Sequence, residues 1–203
     1  MRLFVKAPAP SALRVQIFLD EFGRSIETID VTDTGAAEFK RMNPFATVPV
    51  LETDGGAFIS ESLTICRYLD AIWNTELFGR SLEQRVDVEM WERRAEFQLL
   101  APAMEYVHQT LPMFAGGVHQ NREWASAIAE RVRRVAPLFN ERLNHSPFLG
   151  GDAFSIADIT GFMGLAAIAA FGVLDLSSMS ALRRWSEAIG SRSSMQRLRS
   201  LAI

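Results

Sequence analysis

The feature that most constrains this chain is a change of pattern a little past its first third. Up to about Trp73, short apolar runs with period two alternate with helical runs of period near 3.6. From about Ser81 onward no convincing strand pattern returns. The stretch between them, Asn74 to Arg80, reads as a linker. A chain of 203 residues can hold two small domains, each with its own core. The expected division is therefore a mixed α/β domain over 1–75 and an all-helical domain over 82–203.

Within the first part the elements follow one another closely. Arg2–Lys6 reads as a strand and Ser11–Phe22 as a helix ended by Gly23. Ile26–Val31 alternates as IETIDV, a strand, and Gly35–Met42 is a short polar helix stopped by Asn43-Pro44. Val48–Glu52 and Ala57–Ser60 form a hairpin around the turn Asp54-Gly55-Gly56. Ser62–Trp73 is a helix with Leu63, Ile65, Cys66 and Leu69 inward. The order βαβ-α-ββα predicts a small mixed sheet covered by helices. In the second part helices are expected over Ser81–His108, Arg122–Leu143, Ile156–Leu174, Ala181–Gly190 and Met195–Leu201. Ile159–Leu174 carries no charge, but it falls short of the ~20 residues that span a bilayer. It is expected to be buried at the centre of the helical domain rather than in a membrane.

Composition narrows the partners. A net charge of -3 and a pI near 5.7 lack the basic footprint of a nucleic-acid binder. The local run Arg131, Arg133, Arg134 reads as a solvated helix face. A single cysteine, Cys66, rules out an internal disulfide and fits a reducing, cytoplasmic setting. It reads as a small core hydrophobe. The start MRLFVKAPAP lacks the apolar h-region of a secretory leader. His119 and His145 show no metal-ligand spacing, so no metal is expected.

Four local motifs carry chemistry or architecture. Val48-Pro49 opens a strand, where proline's missing N–H is tolerated. It reads either as an ordinary edge-strand proline or as a turn that leaves the Val48 backbone open to pair with an extended peptide. Glu61-Ser62 sits where a strand gives way to a helix. The free N–H groups and partial positive charge there suit a carboxylate, and Glu61 suits an ammonium group. The plain alternative is an N-cap by Ser60 or Ser62. Ser155 to Asp158 fits a capping box, with Phe154 and Ile159 spaced as a hydrophobic staple. The loop Ala7–Arg14 holds one hydroxyl, that of Ser11, which reads equally as the N-cap of the first helix. Arg14 supplies either positive field or a surface charge.

This layout, with the stretch MNPFATVPVLETDGGAFISESLTICRYL and the Ser155–Asp158 box, resembles the cytosolic glutathione transferase family. The resemblance implies a thioredoxin-like N-terminal domain, an all-helical C-terminal domain, and a cis bond at Val48-Pro49. It implies glutathione as co-substrate, with Thr47, Val48, Pro49, Glu61, Ser62 and Lys40 binding it and Ser11, or nearby backbone N–H groups, favouring the thiolate. Two alignments of the first loop compete, one placing Ser11 at the family's catalytic position and one placing Ala9 there. Phe45 replaces a usual basic residue, and Thr47 stands where a Gln or Lys often meets the glycyl carboxylate, with Lys40 or Arg41 to compensate. A weaker similarity over Trp91–Glu96 and Tyr106–Pro112 implies that Met104, His108 and Phe114 line a pocket for a small hydrophobic electrophile. A homodimer, built on the helix near Ser62–Trp73 and the long helix after Ser81, is also implied. The expected function is transfer of glutathione to that electrophile. A non-catalytic glutathione carrier, and a glutathione-dependent isomerase or dehalogenase, are the alternatives. No nucleic acid or membrane partner is expected.

Overall fold

The computed structural model describes residues 1–7 and 9–199. The chain divides into two compact units. One comprises Met1–Glu76 together with the chain from Ser191 onward, and the other comprises Leu77–Gly190.

The first unit is built on a four-stranded sheet of order β2-β1-β3-β4, with β1 at Arg2–Val5, β2 at Glu27–Asp30, β3 at Val50–Glu52 and β4 at Phe58–Ser60. β1 runs parallel to β2 and antiparallel to β3, and β3 is antiparallel to β4. Helices α1 (Pro10–Glu21), α2 (Ala36–Met42) and α3 (Ser62–Trp73) cover the sheet. Strand alternation assigns the faces. Phe4 and Val50, directly paired, bury themselves with Phe39 and Met42 of α2. Their neighbours Leu3 and Leu51 point the other way and are fully buried, as are Val15, Ile17 and Phe18 of α1 and Ile65, Cys66 and Leu69 of α3. This is the βαβ-α-ββα arrangement of a thioredoxin-like domain.

The elements depart from expectation where side chains intervene. β2 stops at Asp30 rather than Val31, because the Asp30 carboxylate accepts from the Thr32 N–H at 2.8 Å and its hydroxyl at 2.7 Å. That bond turns the chain into a 3₁₀ turn over Val31–Asp33. β3 starts at Val50 rather than Val48; Pro49 has no N–H to offer the ladder, and the Val48-Pro49 bond is cis as the resemblance implies. Leu63 is half-buried, and Ser62 is buried instead. Arg14 is no surface charge, for it lies buried in α1.

The second unit is helical: α4 (Leu82–Ala95), α5 (Ala101–Thr110), α6 (Arg122–His145), α7 (Ile156–Ala170) and α8 (Ser180–Gly190). The long helix expected from Ser81 is broken by a π segment over Glu96–Leu100. Pro102 explains the break. It has no N–H, and its ring pushes away the carbonyl one turn back. The Ala101 N–H reaches the Glu96 carbonyl, and Arg131 Nη2 of α6 donates to the Phe97 carbonyl at 3.0 Å. That carbonyl is the one Pro102 would serve in a five-residue register.

α7 is buried on most of its surface, as expected of the uncharged run, but it ends at Ala170, where a tight turn from Gly172 N–H to the Ala169 carbonyl closes it. Gly164 lets α7 lie against the π segment. A Cβ there would sit 2.5 Å from Leu100 N and 2.7 Å from Leu99 C. Asp158 is fully buried at the start of α7. It bonds back to the Ser155 N–H at 2.9 Å, as a capping box requires, and accepts the Ser155 hydroxyl at 3.0 Å. Its other oxygen accepts from the Leu149 N–H and Trp185 Nε1, both at 2.8 Å.

The end of the chain does not stay with the helical unit. A 3₁₀ turn at Ser193–Met195 and the short α9 (Gln196–Arg199) pack on α1. Arg192 pairs with Glu21 and Arg197 with Asp20. The helix expected over Met195–Leu201 begins one residue later, and residues 200 and 201 lie outside the described part.

Candidate functional site

The loop from Asn43 to Pro49 is shaped by one buried side chain. Asn43 ends α2 and is 2 % exposed. Its Nδ2 donates to the Thr47 carbonyl at 2.9 Å and to Thr47 Oγ1 at 3.0 Å, while its Oδ1 accepts the Phe45 N–H at 3.2 Å. Ala46 takes a left-handed φ of 52° at the tip. The sequence marks Asn43 only as a helix stop. Its grip on the loop depends on burial, which no local pattern announces.

Val48 lies between this clamp and the sheet, outside the ladder that starts at Val50. Its carbonyl accepts the Ser11 hydroxyl at 2.9 Å. Ser11 is the second residue of α1, whose N-cap is Ala9 and whose first residue is Pro10. Ser11 is therefore not the N-cap. Its one proton is committed to Val48, and Pro8 lies outside the described residues. The N–H groups of Ser11 and Ala12 have no acceptor within the helix, as for any first turn.

The third motif is Glu61-Ser62. Glu61 is the N-cap residue of α3, with φ 67° and ψ 114° and no side-chain capping bond. Neither Ser60 nor Ser62 is the cap. Positive φ is rare outside glycine and costs on the order of 1–3 kcal/mol. This conformation stands between the end of β4 at Ser60 and the start of α3 at Ser62. Glu61 is exposed and Ser62 is buried. The first bond of the helix runs from the Ile65 N–H to the Glu61 carbonyl, which leaves the preceding N–H groups of the turn without helical partners.

Sheet register brings the motifs together. Val50 and Ser60 are paired at one end of β3 and β4, so the Val48-Pro49 turn and the Glu61-Ser62 turn leave the ladder at the same end of the sheet. The Ser11 bond adds the start of α1. Thus one end of the sheet gathers the Val48 backbone, two helix N-termini, a buried serine and an exposed carboxylate. It can accept a short extended peptide bearing a carboxylate and an ammonium group at one tip.

The other expected residues are placed as follows. Thr47 is exposed, and its hydroxyl accepts from Asn43 but keeps its own proton to donate. Lys40 and Arg41 lie exposed in the last turn of α2, and Phe45 is exposed at the loop tip. In the helical unit His108 and Phe114 meet edge to face with centroids 4.5 Å apart. Met104 lies one turn before His108 on the same face of α5. A cleft of about 740 Å³ in this unit is lined by Tyr106, Thr110, Arg122, Ser126, Ala129 and Arg133 among others, and by none of those three. Among the described residues no cluster of His, Cys, Asp or Glu could hold a metal ion, and no helix is long and apolar enough to cross a membrane.

Comparison with known proteins places this geometry. Residues 9–72 match the family described as Glutathione S-transferase, N-terminal domain, and residues 99–192 match Glutathione S-transferase, C-terminal domain. The chain is 30 % identical over 198 residues to Glutathione S-transferase 2 of Saccharomyces cerevisiae, covering 94 % of this chain and 85 % of that protein. It superposes on a class Gtt2 glutathione S-transferase of Vibrio parahaemolyticus with a TM-score of 0.83 at 32 % identity, covering 97 % and 96 % of the two chains. It is also 34 % identical over 123 residues to Elongation factor 1-gamma of Homo sapiens, over 61 % of this chain but only 26 % of that longer protein. The Asn43–Pro49 loop, the Glu61-Ser62 turn and the buried Asp158 box thus sit in a chain that belongs to the glutathione S-transferase family.

Proposed function

We propose that the protein binds glutathione at this sheet end and joins it, through its sulfur, to a small hydrophobic electrophile. Val48 pairs with the cysteinyl backbone, beside Pro49. The first turn of α3, with Ser62, takes the γ-glutamyl carboxylate, and Glu61 takes its ammonium group. Thr47, with Lys40, takes the glycyl end. The first turn of α1, through Ser11 or its backbone N–H groups, favours the thiolate. A free thiol of this kind has a pKa near 8.5, so at neutral pH little of it is nucleophilic without such help. Met104, His108 and Phe114 form the acceptor wall. The observation that carries this reading is the pairing of Val50 with Ser60, from which the Val48-Pro49 and Glu61-Ser62 turns leave the sheet at one end.

The same reading includes a homodimer in the cytoplasm. Leu82, Val86, Met90 and Phe97 are exposed and recur along one side of α4 and the π segment. Such a stripe of large apolar side chains suits a subunit interface.

Thiolate absorbance of bound glutathione, followed across pH, tests the activity. A bound thiol that ionises well below the free value supports it. An unshifted pKa with intact binding favours the second reading, a glutathione-binding carrier. That reading draws on the Ser11 proton, already committed to Val48, and on a relative named for translation elongation rather than for a transferase. A panel of electrophiles then separates conjugation from isomerisation and dehalogenation.

A further inference from the structure

Two side chains from different elements grip consecutive carbonyls of the site loop. Asn43 Nδ2 holds the Thr47 carbonyl at 2.9 Å, and Ser11 Oγ holds the Val48 carbonyl at 2.9 Å. The Thr47 carbonyl shares a rigid peptide plane with the Val48 N–H, and the Val48 carbonyl shares one with Pro49. The two bonds therefore fix the two planes on either side of the Val48 Cα. Neither plane is held by the sheet, because the ladder begins at Val50.

We infer that Ser11 is a positioning residue rather than the donor to the thiolate: with Asn43 it aims the Val48 N–H and carbonyl that an extended peptide reads. The inference rests on the glutathione reading above and specifies how that site is preorganised. A serine hydroxyl has one proton. In donating it to Val48, Ser11 presents only lone pairs elsewhere, and these cannot stabilise an anionic sulfur. The carbonyl retains a second lone pair for the N–H of a ligand, so the tether and the ligand can be bonded at once. Preorganisation of this kind lowers the ordering cost of binding.

The experiment compares the parent with Ser11→Ala and Ser11→Thr, using glutathione and S-methylglutathione, which has no thiol proton. The inference predicts that Ser11→Ala weakens both ligands equally, by about tenfold, and raises KM for glutathione by a similar factor. The pKa of the bound thiol should stay at its parent value, and Ser11→Thr should restore affinity. If Ser11→Ala does not fold, Ser11→Gly removes the same hydroxyl and is measured instead. Weakening of glutathione alone, with a bound-thiol pKa displaced upward, would make Ser11 the donor and overturn the inference. Unchanged affinity for both ligands would overturn it too. A parent protein that binds neither ligand would instead defeat the glutathione reading itself, and the inference with it.

Discussion

In the helical unit the most deeply buried carboxylate, Asp158, accepts four hydrogen bonds and is sealed from solvent. In the α/β unit the polar side chains Asn43 and Ser11 direct their bonds to a loop whose residues Pro44–Thr47 are exposed. The first arrangement joins the start of α7 to Leu149 and Trp185. The second fixes the carbonyls of Thr47 and Val48, which lie outside the ladder. The helical unit also satisfies its geometry with small residues at close contacts, as at Gly164. The α/β unit instead tolerates positive φ at Ala46 and Glu61. The buried carboxylate of the helical unit is closed off, whereas Asn43 and Ser11 hold irregular backbone at the edge of a sheet.

Substitutions that probe this contrast should differ in size and in kind. The largest effect is expected from Asp158→Ala, which leaves the Leu149, Ser155 and Trp185 donors buried without an acceptor. It should cost on the order of 3–5 kcal/mol in urea unfolding. Gly164→Ala forces a methyl group against the Leu99-Leu100 backbone and should cost about 2 kcal/mol. Gly35→Ala, with open space around it, should leave stability within about 0.5 kcal/mol of the parent. Equal losses for the two glycines would break the claim that close packing governs the helical unit.

Glu61→Gly should do the reverse of these. It relieves the backbone at φ 67° and should raise stability by about 1 kcal/mol. It also removes the carboxylate from the site, so glutathione affinity should fall about tenfold, as read by calorimetry. A variant that gained both, or lost both, would contradict strain held for function.

The smallest effect concerns pH. Burial raises the Asp158 pKa, and the bonds from Leu149, Trp185 and Ser155 only partly offset it. The folded protein therefore holds that proton more tightly than the unfolded chain, whose aspartates titrate near ~3.9. The favourable contribution is complete below that value and is lost as pH rises through the raised folded value. Asp158→Asn has no such titration. The stability difference between parent and Asp158→Asn should accordingly narrow as pH rises from about 4, and unfolding curves at a series of pH values read it.

Much of this was visible in the sequence because it is local. The Asp54-Gly55-Gly56 turn, the Ser62–Trp73 helix and the Ser155–Asp158 box each announce themselves within a few residues. What stayed hidden acts over distance. Ser11 finds Val48 across 37 residues, so its hydroxyl could be read as a cap or a catalyst but not as a tether. Pro102 was present in the sequence, yet a π segment follows only once Arg131 and Gly164 supply a partner and a space for it. The return of the chain to α1 rests on Arg192 with Glu21 and Arg197 with Asp20, pairs that no periodicity links. Val-Pro and the strand-to-helix junction mark Val48, Glu61 and Ser62 in the sequence as candidates, and the fold sets their two turns at one end of the sheet. Asn43 is not marked in this way, because its role comes from burial.

The Val48 edge and the first turn of α3 are together proposed to read one extended tripeptide. A crystal structure of the protein soaked with glutathione tests this most directly. The cysteinyl backbone is expected to pair with the N–H and carbonyl of Val48, with the γ-glutamyl carboxylate on the first turn of α3 beside Ser62. Glutathione bound elsewhere, or an empty edge at a concentration that saturates the protein in solution, would contradict it.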